Sequence, residues 1–147
     1  MIRRPFTRRF HKFAMTPFTG ETQRVDLAHP RGIIAKAVEQ LDPQIDWAEP
    51  ASFSAGGTYH GQAGVSSYLS QSRSGWAEGR SEPERFIVSR DRVVVFVYAR
   101  IRLQGSNEWR EVRLADVYTF RNGKLVSMRA FADRKDALDW VGAHETL

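Results

Sequence analysis

Two carboxylates stand where apolar side chains belong, and they are the first candidates for chemistry. Residue types alternate between Glu108 and Arg121, so Val112, Leu114, Asp116, Tyr118 and Phe120 share one face of a strand. A carboxylate on that face is costly to ionise without a partner. Either it pairs, with Arg129 on the following strand as an available partner, or its pKa rises and it keeps its proton. A protonated carboxyl is an O–H donor aimed into apolar space, suited to a developing enolate or oxyanion. Glu49 repeats the anomaly, sharing a face with Ile45 and Trp47 just before Pro50. An ionised carboxylate at such a strand end can act as a general base. One neutral and one ionised carboxyl would divide acid and base roles. Each also has a structural reading: Asp116 as an acceptor that ties the sheet together, Glu49 as a solvated strand end.

The elements that must position these groups are legible along the chain. A short helix is predicted over Arg31 to Leu41, opened by Pro30 and stopped near Asp42-Pro43. Gln44 to Glu49 reads as a strand, and Pro50 to Gly61 as a loop broken at Gly56-Gly57. Gln62 to about Ser72 reads as a helix with Val65, Tyr68 and Leu69 as its apolar stripe. Strands follow over Glu84 to Ser89, Val93 to Leu103, Glu108 to Arg121 and Lys124 to Ala132, the last two joined by a type I′ signal at Asn122-Gly123. Asp133 is placed to cap a last helix, Arg134 to Val141, closed by Gly142. That order predicts an α+β domain. Phe96 and Tyr98, flanked by Arg100 and Arg102, fall on the mixed face of their strand and suit a dimer interface. Trp76 and Trp109 suit either a pocket cover or an interface.

Bulk composition bounds the function. The 147 residues suffice for one domain, and residues 25–147 are expected to form it. Residues 1–24 hold six basic residues against Glu21, which accounts for the whole net charge of +5. The body is therefore neutral and has no overall electrostatic reason to bind nucleic acid. The tail carries Ile2, Phe6, Phe10 and Phe13 at helical spacing between its basic residues. It reads as a mobile extension ahead of Met15, or as a targeting or membrane-surface segment. No apolar run reaches the ~20 residues of a membrane span, and the expected compartment is the cytoplasm. Cysteine is absent and the four histidines lack ligand spacing, so no metal site is expected. Ser52, Ser54 and His60 make no defensible nucleophile–base arrangement. Gly56-Gly57 and Gly61-x-x-Gly64 lack the Lys-Ser/Thr of a phosphate loop.

Three segments resemble the SnoaL-like, or NTF2-like, superfamily. They are Leu41 to Pro50 (LDPQIDWAEP), Gly57 to Val65 (GTYHGQAGV) and Leu114 to Phe131 (LADVYTFRNGKLVSMRAF). The resemblance spans about residues 31–142 and implies a cone-shaped NTF2-like barrel. In that fold a curved antiparallel sheet carries helices packed on its concave face around a pocket, and the protein is commonly a homodimer. Within the superfamily, the ketosteroid isomerase type places a base just before a proline after the first strand, where Glu49 falls. Its neutral donor Asp lies on the strand before the final hairpin, where Asp116 falls. The resemblance further implies Trp47, Leu114, Tyr118, Met128 and Ala130 as substrate-binding residues. The isomerase also uses a tyrosine from its first helix, and this chain has no tyrosine before Tyr59. A Glu also stands where the usual base is Asp. Tyr118 is either a substitute hydroxyl or a satisfied core tyrosine.

Three functions follow. The first is a cofactor-free isomerase or polyketide-cyclase-like lyase acting on a small apolar carbonyl compound. The second is a non-catalytic ligand-binding or dimerisation module of the same fold. The third is an interaction protein working through the basic tail.

Overall fold

The computed structural model describes residues 18–19, 41–53 and 56–143. The helix expected over residues 31–41, apart from Leu41, lies outside them, as does the tail of residues 1–24 apart from Phe18 and Thr19.

Among the described residues, seven strands and two helices appear in the order β1 (Phe18–Thr19), β2 (Leu41–Glu49), β3 (Gly57–His60), α1 (Gly61–Ser74), β4 (Trp76–Ser89), β5 (Arg92–Leu103), β6 (Trp109–Arg121), β7 (Lys124–Phe131) and α2 (Arg134–Val141). They form one curved sheet, ordered β1-β4-β5-β6-β7-β2-β3. Every pairing is antiparallel except that of β2 with β7. This is the expected α+β architecture. Among the described residues no helix is long and apolar enough to cross a membrane.

The strand with the longest buried run is β5, inside the sheet between β4 and β6, where Val93 to Val97 are all buried. An unbroken buried run means that both faces are covered. On the inner face, Val93, Val95 and Val97 join Ile45, Trp47, Tyr118 and the α1 residues Val65 and Leu69. On the outer face, Val94 and Phe96 join Ala115, Val117 and the α2 residues Ala137 and Leu138. Only α1 of these two helices therefore packs on the concave side. The last helix, expected there too, covers the opposite face. The reason is the apolar outer row of β5 and β6, which needs a cover of its own. Phe96 is consequently 4% exposed, lying under α2 with the Arg134 guanidinium 4.7 Å from its ring centre.

Three boundaries differ from expectation. The segment read as a loop up to Gly61 contains β3, an edge strand too short and polar to show alternation. β2 starts at Leu41 rather than Gln44, passing Pro43 through a register irregularity between Leu41 and Asp46. β4 begins at Trp76 rather than Glu84, and Pro83 sits beside a second irregularity. Proline lacks an N–H and is tolerated in a strand at such irregularities. Gly79 is needed within β4, because a Cβ there would lie 2.9 Å from Ile101 Cγ2.

The turn chemistry is as read. Asn122 and Gly123 both have positive φ, 53° and 78°, as a type I′ turn requires. Asp133 accepts from the Lys135 N–H at 2.8 Å, and Gly142 closes α2 in the left-handed region.

Candidate functional site

Alternation along β6 places Asp116 on the inner face beside Tyr118, and the two are 3% and 0% exposed. Strand register sets their neighbours. Trp47, Met128, Tyr118 and Val93 form one row across β2, β7, β6 and β5. In the next row Ala130 pairs with Asp116, and Asp116 with Val95. The β2–β7 register runs from Trp47–Met128 to Ala48–Arg129, and one further step brings Glu49 beside Ala130. Glu49 and Asp116 thus flank Ala130 from neighbouring strands. Two strand spacings put their Cα atoms about 10 Å apart, near enough for the Glu49 charge to act on Asp116.

The two carboxyls have unlike surroundings. Glu49 is half-buried, and the Trp47 indole N–H donates to its Oε1 at 2.8 Å. The Tyr68 hydroxyl is a second hydrogen-bond partner. Burial raises the Glu49 pKa above 4.5, and these two donors partly offset the rise. Asp116 is pushed up further, first by burial and then by the negative charge of Glu49, against one opposing hydrogen bond from Tyr118. Burial also raises both tyrosines, so each remains a protonated donor. Carboxyls coupled in this way titrate as a pair. Within the pair, the two donors and the lesser burial favour the charged form at Glu49, and the deeper burial favours the neutral form at Asp116. Glu49 can then accept a proton while Asp116 offers one in a hydrogen bond.

The residues expected to be catalytic or substrate-binding, Glu49 and Asp116 with Trp47, Leu114, Tyr118, Met128 and Ala130, all lie on this inner face. Trp47, Tyr118, Met128 and Ala130 are buried in its core, and half-buried Leu114 packs against it. Arg129 is not placed to pair with Asp116. It stands opposite Val117 on the outer face, its guanidinium 5.0 Å from the Phe131 ring centre. His60 is also directed away, with its Nδ1 2.6 Å from Asp46 Oδ1 and its Nε2 3.2 Å from Gln44 Oε1. Trp109 is 38% exposed and lies under the Arg100 guanidinium at 4.2 Å, outside the carboxyl cluster. Among the described residues, no group of three His, Asp or Glu side chains is placed to hold a metal.

Sequence reasoning missed Tyr68. The sequence places it in an apolar stripe, yet its hydroxyl meets Glu49 and its ring packs against Tyr59 at 4.7 Å and Trp47 at 6.2 Å. The available signal was that it is the one hydroxyl among the three stripe residues Val65, Tyr68 and Leu69. Tyr68 acts through Glu49 and so is a positioning residue. Tyr68→Phe removes a donor that holds the Glu49 pKa down, so the Glu49 carboxyl is expected to titrate at higher pH than in the parent. Carbon NMR of the labelled carboxyl, with Glu49→Gln for assignment, reads the shift directly. An unmoved midpoint would remove Tyr68 from this role.

An open α+β sheet with an aromatic inner wall and two coupled carboxyls defines a protein of the NTF2-like class. The SnoaL-like domain model matches residues 22–128, and the chain belongs to that family. No curated protein matches it. Several solved structures share the fold. An NTF2-like protein from Burkholderia pseudomallei K96243 is 24% identical with a TM-score of 0.62, over 86% of this chain and all of its own. TerC, co-crystallised with polyporic acid, is 20% identical with a TM-score of 0.63, over 95% of this chain and 99% of its own. A protein described as a SnoaL-like polyketide cyclase, from Jannaschia sp. CCS1, is 16% identical with a TM-score of 0.59, over 86% of this chain and 93% of its own. At such identities the likeness is one of fold.

Proposed function

We propose that the chain binds a small, largely apolar carbonyl compound and moves a proton next to its carbonyl group, as an isomerase or an aldol-type cyclase. The observation that carries this reading is the pair of unlike carboxyls on either side of Ala130. The Glu49 carboxylate takes a proton from the carbon adjacent to the carbonyl. The C–H bonding electrons form the enolate C=C bond as the carbonyl π electrons move onto oxygen. Asp116 donates a hydrogen bond to that oxygen without giving up its proton. Isomerisation is completed when Glu49 returns the proton to another carbon of the enolate. Cyclisation is completed when the enolate carbon attacks a second carbonyl, re-forming the first, and protonated Glu49 gives its proton to the alkoxide oxygen so formed. The wall of Trp47, Leu114, Met128 and Ala130 suits an apolar substrate, and no cofactor is needed. TerC, of the same fold, was crystallised with a small molecule.

A second reading is a non-catalytic ligand-binding or dimerisation module of the same fold. It is favoured by one observation: Glu49 is already satisfied by Trp47 and Tyr68 from within the protein. Hydrogen–deuterium exchange separates the two. Small apolar ketones and enones that bind the protein are incubated with it in deuterated water and followed by proton NMR. Exchange next to the carbonyl above the buffer rate, lost in Glu49→Gln, is the expected result. Binding with no exchange from any bound compound would leave the module reading.

A further inference from the structure

The outer face carries a second constellation that the carboxyl pair does not use. Arg92 opens β5, and Arg129 lies on β7 two strands away. Both reach Trp140 of α2, with guanidinium carbons 4.3 Å and 5.1 Å from its ring centre. Two cations thus share one indole, which is itself 37% exposed. Among the described residues neither guanidinium has a carboxylate partner, and the Arg92 Nε is buried with no acceptor. Among the described residues, no carboxylate therefore neutralises the positive charge at this place. Stacking uses the face of a guanidinium and leaves its in-plane N–H groups free to donate.

The neighbouring groups are polar. Arg92 pairs with Thr119, and Thr119 with Ser127, which puts two half-buried hydroxyls in the row beside Arg92 on the same outer face. The turns Arg90-Asp91 and Asn122-Gly123 lie at this end of the sheet, and Arg90, Arg121 and Lys124 add further positive charge there. The acids of the surrounding elements are Asp91 in the turn, Asp46 beyond Ser127, and Asp133, Asp136 and Asp139 on or next to α2. Asp46 is engaged by His60, and Asp133 by the α2 cap.

We infer that Arg92 and Arg129, straddling Trp140 above Thr119 and Ser127, form a binding site for a phosphate-type oxyanion. Two guanidiniums supply directed, charge-assisted donors, and the hydroxyls supply neutral ones. The oxyanion belongs either to a free phosphorylated molecule or to a lipid headgroup, and the chemistry of capture is the same.

The test uses the full chain labelled with nitrogen-15, read at its indole N–H signals. Trp140→Phe assigns the signal. Inorganic phosphate and pyrophosphate are titrated at constant ionic strength against a chloride control. A saturable shift of the Trp140 signal is expected, tighter for pyrophosphate. Arg92→Gln and Arg129→Gln should each weaken it about tenfold, the loss of one charge-assisted contact, and the double variant should abolish it. The other three indole signals, unmoved, report that each variant is folded. Flotation with phosphatidic acid vesicles identifies the source: capture points to a headgroup, and phosphate shifts without capture point to a free ligand. No saturable shift, or a shift that survives in the double variant, would overturn the site.

Discussion

Asp116→Asn is expected to lower carbonyl-adjacent proton transfer roughly 10²–10³-fold, the loss typical of one oxyanion donor. The amide nearly matches the carboxyl in shape and still accepts a hydrogen bond from Tyr118. It cannot supply an acidic O–H to an enolate oxygen. Asp116→Leu, which has no donor, should be no more active than the amide. The same substitution should change how stability depends on pH. Burial and the Glu49 charge hold the folded-state pKa of Asp116 well above its ordinary value. The folded chain therefore keeps this proton over a range in which the unfolded chain has released it. Below the ordinary carboxyl range both states are protonated and the penalty is absent. As pH rises toward the folded-state pKa, stability falls by about 1.4 kcal/mol per unit for this one group. Asparagine cannot ionise, so the variant escapes this part of the decline. Urea unfolding at acid pH should give similar values for parent and variant, diverging in the variant's favour as pH increases. Parallel curves, or unchanged exchange rates, would show Asp116 to be an ionised, structural residue.

Glu49→Gln should be the more damaging change for activity, about 10²–10⁴-fold, since it removes the base itself. Glutamine keeps a carbonyl oxygen for the Trp47 and Tyr68 donors, so the fold and ligand binding should persist. The pH dependence provides a separate check. In the parent, the rate rises as Glu49 loses its proton, and burial places that midpoint above the ordinary 4.5. The glutamine variant should have no such limb. A variant that binds the same ligands, yet exchanges their protons as fast as the parent, would remove Glu49 as base and move the weight to the binding-module reading.

Much of the molecule could be read from residue order because the deciding signals are local. The alternation of β6 placed Asp116 among Leu114, Tyr118 and Phe120, and strand geometry alone turns that into an inner-face carboxyl. The Asn122-Gly123 turn, the Asp133 cap and the Gly142 stop depend on single backbone positions and were equally legible. So was the stretch from Ile45 to Glu49, whose apolar residues recur at a spacing of two. Signals were weakest where strands break the rules of strands. Pro43 suggested a boundary within what is β2, but a register irregularity absorbed it, and β4 likewise runs past Pro83 beside an irregularity.

Contacts between distant segments were not legible. The sequence alone specified a carboxyl on β2, another on β6, and apolar faces to hold both. Tertiary structure decided that parallel pairing of β2 with β7 brings Glu49 and Asp116 to either side of Ala130, that Tyr68 turns its hydroxyl onto Glu49, and that α2 covers the outer face with Trp140 beneath two arginines. The physical reason is range: alternation and turn chemistry act within a few residues, whereas a coupled pKa depends on which charges packing brings near each other and how much water it removes.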